Sequence, residues 1–271
     1  MTTVTQKASN KQFLFLIDFS IESLKSLTYL INFVKTTGGT IELLYSFEQT
    51  NLKNELESTE VKAQEIKIEK KLLALKEIIE VENIAVKTGY SYQDLEVEIN
   101  LKSDQLKENL VVVIDAESKG KIKESTKFLI NSYLGSVLIV NSSSEFDNGN
   151  SIVLSGDCNA LNKSDLSLTN SLCSELNSPL IVLESVRRNE SKSFTYSPDT
   201  KFEVYYNPIS EHKTLADLKK YITNNSIRLL GLCREKTSKS LLKKFFHTNK
   251  SVLEIVKNIN TPILILNNNF E

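Results

Sequence analysis

The sequence predicts an α/β protein built from two tandem, doubly wound parallel-sheet domains. Short continuous apolar runs alternate with amphipathic stretches along the chain, which is the pattern of buried parallel strands joined by crossover helices. In addition, the apolar run at 262–267 repeats the run at 136–141, and each follows another apolar run and a helical stretch. We therefore expect the same fold to occur twice in this chain.

The elements of the first copy follow from hydrophobic periodicity. The strand-like run at 13–17 ends in an acid, Asp18, and a helix-capping residue, Ser20. The next helix should stop at Gly38-Gly39, and Gly89 should turn the chain into a later helix. The expected strands lie at 13–17, 41–47, 83–87, 110–114 and from Val137, and the expected helices lie around 24–34, 68–79, 95–106 and 126–133.

The second copy follows the same order of elements. Asp157 comes after its first strand, where Asp18 stands in the first copy. The stretch at 184–201 is polar and charged where the first copy has its long helix, so we expect that helix to be eroded or lost. The expected strands lie at 152–154, 179–183, 202–206, 227–232 and 262–267, and the expected helices lie at 164–176 and 215–221.

These landmarks divide the chain into four segments. We expect a disordered N-terminus at 1–10, a first domain at 11–143, a polar linker at 144–150, and a second, reduced domain at 151–271. Both domains have a common size for a globular unit, and the 40% of hydrophobic residues suffices to build a core in each of them.

Composition and charge exclude several classes of protein. The formal net charge of -1 provides no overall field that would attract nucleic acid or an acidic membrane. The three cysteines form no short-spaced pair, so neither a disulfide framework nor a zinc site is indicated. The longest apolar runs are far shorter than the roughly 20 residues that a membrane-spanning helix needs. We therefore expect a cytoplasmic protein that acts without nucleic acid and without a membrane.

Both copies share a set of motifs. In each, a strand ends in an aspartate before a helix, and an apolar strand, a polar loop, a helix and a closing apolar strand come later. The part that carries most of the resemblance named next is 229–236, followed by 240–246 and by 251–266. Through these motifs the chain resembles the tandem universal stress proteins, which belong to the adenine nucleotide alpha hydrolase-like folds. The resemblance covers 11–142 and 151–268, and it implies a five-stranded parallel sheet per domain and an internal pseudo-dimer in which the two last strands meet.

The nucleotide-binding motif of that family is degenerate in this chain. Family members that bind ATP hold its phosphates on a loop after the fourth strand, written as Gly, two residues, Gly, nine residues, then Gly and Ser or Thr. The glycines let backbone amides approach the phosphates. After Ile114 only Gly120 is present in a shortened stretch, and in the second copy only Gly231 remains, with Lys250-Ser251 in place of the closing Gly-Ser. We therefore expect no ATP binding of the usual kind.

Six residues are candidates for ligand binding. Asp18 and Asp157 lie at the carboxyl ends of the first strands, where open parallel sheets bind ligands, and each carboxylate would either contact a nucleoside or cap the following helix. The stretch from Arg234 to Lys250 contains six basic residues and one acid, and it would either bind an anion or form a solvated helix face. The candidates are Asp18 with Ser125 in the first copy, and Asp157 with Lys236, Lys250 and Ser251 in the second.

Catalytic chemistry finds no support in the sequence. Neither His212 nor His247 lies beside a plausible nucleophile, and no ligand spacing for a metal is present. Cys158 is either a thiol exposed near a helix start or a buried one, and Cys173 is expected in the core.

Two functional classes remain after these exclusions, and an enzyme that hydrolyses ATP is a third, weaker alternative, because no general base with a positioned water can be named. We expect a non-catalytic stress-response protein that has no cofactor and acts through a protein partner or as a homodimer. The alternative is a sensor that binds ATP, AMP or another small anion at one strand-end cleft.

Overall fold

The computed structural model describes residues 11–47, 58–106, 110–115, 117–118, 121–146, 149–155, 161–186, 204–210, 215–233 and 249–266. Several sequence predictions therefore lie outside the described residues. They are the N-terminal segment 1–10, the fate of the long helix between 187 and 203, Asp157, Cys158, Lys236 and both histidines.

Two sets of strands and helices follow one another along the chain. The first half contains β1 (Gln12–Leu16), α1 (Ile21–Thr37), β2 (Thr40–Ser46), α2 (Ser58–Val81), β3 (Ala85–Ser91), α3 (Leu95–Leu106), β4 (Leu110–Asp115), β5 (Glu117–Ser118), β6 (Lys121–Ile122), α4 (Glu124–Asn131) and β7 (Ser136–Val140). The second half contains β8 (Ser151–Ser155), α5 (Lys163–Glu175), β9 (Leu180–Val186), β10 (Val204–Ser210), α6 (Leu215–Asn224), β11 (Ile227–Cys233), α7 (Asn249–Asn258) and β12 (Ile263–Leu266).

Ten of these strands form one continuous sheet, in the order β10-β9-β8-β11-β12-β7-β4-β1-β2-β3. Within each half all neighbouring strands are parallel. The two halves join where β7 and β12 pair in the antiparallel direction, with Leu138 opposite Leu264. The strand order of the first half, β3-β2-β1-β4-β7, is thus matched by β10-β9-β8-β11-β12 in the second. The predicted fold class, two doubly wound five-stranded parallel sheets, is confirmed.

Each face of the sheet is covered by helices over one hydrophobic cluster that runs through both halves. Side chains of β1 alternate between the two faces, with Phe13 and Phe15 in one cluster and Leu14 and Leu16 in the other. This alternation buries the strand on both sides, as its continuous apolar sequence requires. The first cluster includes residues of α1, α2 and α5, and the second includes residues of α3, α4, α6 and α7.

Hydrogen bonds and an ion pair connect the two halves beside the central strands. The hydroxyl of Ser136, at the start of β7, donates to Oδ1 of the buried Asp165 on α5 at 2.7 Å. Lys11 forms an ion pair with Glu175 on α5. The side-chain amide of Asn141 donates to the carbonyl of Ile259 at 2.6 Å. These contacts fix the relative position of the halves, because each joins residues that are far apart in the chain.

The described part of the segment that was predicted to be a polar linker packs against the rest of the protein. The ring of Phe146 contacts the rings of Tyr29 and Phe33 on α1, at centroid distances of 5.8 and 6.3 Å. The guanidinium of Arg228 lies over the Phe146 ring, 5.8 Å from its centroid, and its Nε donates to the carbonyl of Gly149 at 2.8 Å. Residues 144–146 and 149–150 therefore belong to the packed body, and the domain boundaries stay a prediction.

Two local predictions are wrong. Gly89 does not form a turn, because it lies inside β3 and pairs with Leu44 of β2. The second error concerns the loop after β4, where the sequence indicated no regular structure and the chain forms an antiparallel hairpin of two-residue strands, β5 and β6.

We predict that the same substitution has a large effect at one glycine of the first half and a small effect at another. Gly39 has a φ of 121°, and an added Cβ would lie 2.7 Å from the carbonyl oxygen of Lys11 and 2.9 Å from the Phe13 ring. Gly39→Ala should therefore lower the free energy of unfolding by about 2 kcal/mol or more. Gly89 has open space around its Cβ position, so Gly89→Ala should change stability by less than about 1 kcal/mol.

Urea unfolding followed by circular dichroism measures both values. Equal losses for the two variants would contradict the close packing of the β2 entry against Lys11 and Phe13.

Candidate functional site

The candidate site lies at the carboxyl ends of β1 and β4, where the connections of the first half diverge. From β1 the chain passes through α1 to β2 on one side, whereas β4 lies on the other side of β1 and continues to β7. A crevice at such a reversal of strand order is the usual ligand site of open α/β sheets. Three segments meet there: the β1–α1 loop, the end of β4, and the start of α4.

The β1–α1 loop is shaped by a short hydrogen-bonded turn. Asp18 Oδ1 accepts hydrogen bonds from the backbone N–H and the hydroxyl of Ser20, at 2.9 and 2.6 Å. Ser20 Oγ in turn accepts from the N–H of Ser23 at 3.1 Å, so Ser20 is the N-cap of α1, as its position predicted. Between them Phe19 adopts a left-handed φ of 61°. The alternative in which Asp18 caps the helix itself is therefore wrong, since Asp18 supports the capping residue instead.

Lys123 joins this loop to the end of β4. Its ammonium lies 2.8 Å from Asp18 Oδ2 and 3.0 Å from Asp115 Oδ2, and its side chain is only 11% exposed. Asp115 is the last residue of β4 and is completely buried. One lysine thus neutralises one of two carboxylates that meet at the mouth of the crevice, and the three groups together carry a single negative charge.

The two carboxylates experience different environments. Burial raises the pKa of Asp115, and the neighbouring Lys123 ammonium and the Ser26 hydroxyl, which donates to Oδ1 at 3.1 Å, only partly offset this effect. Burial also acts to raise the pKa of Asp18, but the contacts with Lys123 and Ser20 outweigh it and hold that pKa below its usual range. The ionised form of Asp115 therefore opposes folding, whereas the ionised form of Asp18 supports it.

The β5–β6 hairpin lies between β4 and α4, where the family resemblance implied a phosphate-binding loop. In it Glu117 pairs with Ile122 and Ser118 pairs with Lys121. The hairpin leads directly to Lys123, which precedes the first residue of α4 and contributes no side-chain cap to this helix. Because the hairpin is so short, Lys123 lies close to the end of β4 and therefore at the crevice.

The structure places the predicted site residues unevenly. Asp18 lies at the crevice, and Ser125 is buried in the first turn of α4, but the residue that contacts Asp18 from this segment is Lys123. Lys250 and Ser251 lie in the first turn of α7 at the end of a span outside the described residues. Asp157 and Lys236 also lie outside them. The assignment of all six residues to ligand binding stays a prediction.

Sequence reasoning missed Lys123, Asp115 and Ser26. One signal was available for Asp115, because it ends an apolar run with an acid in the same way as Asp18 follows the first strand. No sequence motif marks Lys123 or Ser26, since Asp18 is 105 residues from Lys123 and Asp115 is 89 residues from Ser26 in the chain.

Other reactive groups are few among the described residues. Cys173 is fully buried in the core, as predicted, and burial raises the pKa of its thiol to about 12. In the parts of the chain that the structure describes, no group of three or more His, Cys, Asp or Glu side chains could hold a metal ion. None of the helices in these parts combines the length and the apolar character that crossing a bilayer requires.

Solved structures share this architecture along almost the whole chain. The crystal structure of a universal stress protein from Archaeoglobus fulgidus superposes with a TM-score of 0.71 at 15% sequence identity, over 96% of this chain and 98% of that chain. The chain has the universal stress protein fold. A putative universal stress protein from Pseudomonas aeruginosa has a TM-score of 0.57 at 10% identity, over 96% of this chain and 94% of that chain.

The universal stress protein fold also occurs in a transporter. The cytoplasmic domain of a prokaryotic cation chloride cotransporter matches this chain with a TM-score of 0.57 at 11% identity, over 95% of this chain and 96% of that chain. No protein-family model and no curated protein matches the sequence. At these identities the likeness concerns the fold alone.

We predict that removal of the ammonium between the two carboxylates destabilises the protein. Lys123→Met keeps an apolar stem of similar length but leaves Asp115 buried without a cation. The free energy of unfolding should fall by about 3 kcal/mol at neutral pH. The control is Lys127→Met on the same helix, whose ammonium pairs with the exposed Glu124 and whose loss should cost less than about 0.5 kcal/mol.

The same pair of variants should show a characteristic pH dependence. Because the pKa of Asp115 is raised, its carboxyl takes up a proton first as the pH falls, and the cost of the unpaired charge disappears. The stability lost in Lys123→Met should therefore be largest at pH 7 and should shrink towards pH 4. Urea unfolding at several pH values measures this difference, and a loss that is independent of pH would contradict the ion-pair assignment.

Proposed function

We propose that this protein is a non-catalytic stress-response protein that acts through contact with a protein partner and does not bind ATP in the crevice of its first half. The observation that carries the proposal is the internal ion pair of Lys123 with Asp18 and Asp115. In this crevice the cation that a phosphate would need is already held by two carboxylates.

Electrostatics argue against a nucleotide at this position. An incoming phosphate would have to compete with two carboxylates at 2.8 and 3.0 Å for the ammonium of Lys123. It would also approach Asp115, a fully buried acid whose charge is less screened than that of a surface carboxylate. Backbone amides offer little compensation, because the hairpin in place of a glycine-rich loop pairs with itself. These features support a crevice that is closed to polyanions.

Apolar side chains are exposed at the same edge of the sheet. We call them the apolar rim, and they are Ile21 and Leu24 at the start of α1 and Tyr90 and Tyr92 at the end of β3. The Tyr92 ring stacks on Phe47 at a centroid distance of 4.6 Å, and Tyr90 meets the same ring edge-on at 5.6 Å. Exposed rings that are held in place by a buried one present apolar area at a small entropic cost, which is typical of surfaces that bind proteins.

The fold comparison does not assign a function to this chain by itself. The same architecture forms a cytoplasmic domain of a prokaryotic cotransporter, where it is part of a larger protein. The fold therefore occurs outside free-standing stress proteins, and its function has to be argued from the particular surface.

The alternative function is a sensor for an adenine nucleotide or a small anion. In the first half the ion pair opposes it. In the second half its predicted residues are Asp157, Lys236, Lys250 and Ser251, and the proposal for that cleft rests on the basic stretch that precedes α7.

We predict that nucleotides do not stabilise this protein. ATP and AMP at millimolar concentration should leave the melting temperature of the purified chain unchanged within about 1 °C. A nucleotide that did bind, at a hundred times its dissociation constant, would instead add about 2.7 kcal/mol to the free energy of unfolding. Differential scanning fluorimetry measures the shift. A reproducible rise would contradict the absence of nucleotide binding. If the rise survives Lys123→Met but not Lys250→Met, the sensor function belongs to the second half.

The apolar rim gives a test of the protein-contact function. Ile21 is 71% exposed and is the first residue of α1, where an acid interacts favourably with the helix dipole, so Ile21→Glu should fold normally. In crosslinking from stressed cells of its host, this variant should recover less than a tenth of the partner recovered by the natural sequence. The exposed Val97 on α3 provides the control, and Val97→Glu should retain the partner.

Equal recovery with Ile21→Glu would exclude the rim as the contact surface. Failure of the natural sequence to recover any partner, combined with nucleotide stabilisation, would overturn the proposed function as a whole.

A further inference from the structure

The outer face of α2 carries apolar residues that the fold does not use. With 24 residues α2 is the longest described helix, about 36 Å at a rise of 1.5 Å per residue. Its inner face is buried in the first hydrophobic cluster through Ile68, Leu72 and Ile79. Outside this face, four large apolar side chains are exposed, namely Ile66, Leu73, Ile78 and Val81.

These four residues form a second apolar stripe, which we call the outer stripe. At about 100° per residue they fall within a sector of about 140° that does not overlap the buried face. Ile66 and Leu73 are seven residues apart, which is the spacing of a seam between two paired helices. A surface helix that only covers its own sheet needs one apolar stripe, so the second one indicates a further contact.

The charges of α2 complement those of an antiparallel copy of the same helix. The helix contains five lysines and five glutamates, so it has no net charge that would oppose self-association. Lys70 and Glu77 lie within the sector of the outer stripe, and both are exposed. Among the described residues neither of them forms an ion pair with another residue.

We propose that α2 packs antiparallel against α2 of a second copy of this chain, about a two-fold axis that passes between Leu73 and Ala74. This register places Lys70 opposite Glu77 of the second copy. It places Ile66 opposite Val81 of the second copy, and the two copies of Leu73 meet near the axis. Because the axis is a two-fold, each pair forms twice, and one helix supplies both partners of every contact.

A second copy fits this face better than an unrelated partner does. The register that pairs Ile66 with Val81 and brings the two copies of Leu73 together also pairs Lys70 with Glu77, and this coincidence is a property of the helix with itself. The proposal concerns a surface distinct from the apolar rim, and it goes beyond the proposed contact with another protein. It also differs from the junction of β7 with β12, which lies inside one chain.

Sedimentation equilibrium of the full chain over a range of concentrations tests the proposal. The natural sequence should reach twice its mass of 30.6 kDa as the concentration rises. Leu73→Glu should raise the dimer dissociation constant by at least about a hundredfold, since it places two carboxylates at the axis. Leu101→Glu on α3 is the matched control, because Leu101 and Leu73 are both 47% exposed, and it should leave the constant unchanged.

A charge swap tests the register itself. Lys70→Glu and Glu77→Lys should each raise the dissociation constant about tenfold, because like charges then face each other twice. The double variant Lys70→Glu/Glu77→Lys should restore the natural value. Melting temperatures within a few degrees of the natural protein's show that each variant is folded.

Three outcomes would overturn the proposal. They are a monomer at every concentration, a dimer that Leu73→Glu does not weaken, and a double variant that stays as weak as the single ones. None of them bears on the apolar rim, so the failure of this proposal is distinguishable from the failure of the proposed function.

Discussion

The antiparallel pairing of β7 with β12 is the contact on which the architecture depends. Each strand is the last of its half, and each is buried along its whole length. If the two halves were separate, each would expose an apolar edge strand with unpaired backbone groups, which is a site for aggregation. Pairing removes both edges at once. It also joins the cores, because the hydrophobic clusters on the two faces of the sheet each include residues of both halves.

The direction of this pairing determines where the clefts lie. Within each half the strands are parallel, so their carboxyl ends share one edge of the sheet. Because β7 and β12 are antiparallel, the carboxyl edge of the first half is opposite to that of the second. The strand-end clefts of the two halves therefore face away from each other and cannot share a ligand. A ligand or partner at one cleft therefore does not constrain the residues of the other cleft, so the loop sequences of the two copies can differ.

Sequence patterns predicted the strands well and the site poorly, for a physical reason. A strand buried on both faces must be apolar throughout, so the runs at 13–17 and 110–114 are visible locally, and the Ser20 cap depends on neighbours three residues away. The contact of Asp18 with Lys123 depends instead on β4 lying beside β1. Local hydrophobic periodicity does not determine which strands are neighbours in the sheet. Gly89 was predicted to form a turn because glycine is typical of turns. Glycine also occurs inside strands, and here Gly89 pairs with Leu44 of the neighbouring strand β2.

The buried ion pair of Lys123 determines the position of the chain between β4 and α4 more than it stabilises the fold. Desolvation of Asp115 and Lys123 costs free energy that their attraction returns only in part, so an apolar pair of similar volume would stabilise the fold at least as well. A lysine held between two carboxylates, however, fixes where the chain after the hairpin enters α4. The Lys123 ammonium thus connects the start of α4 to the β1–α1 loop and to the end of β4 at the same time.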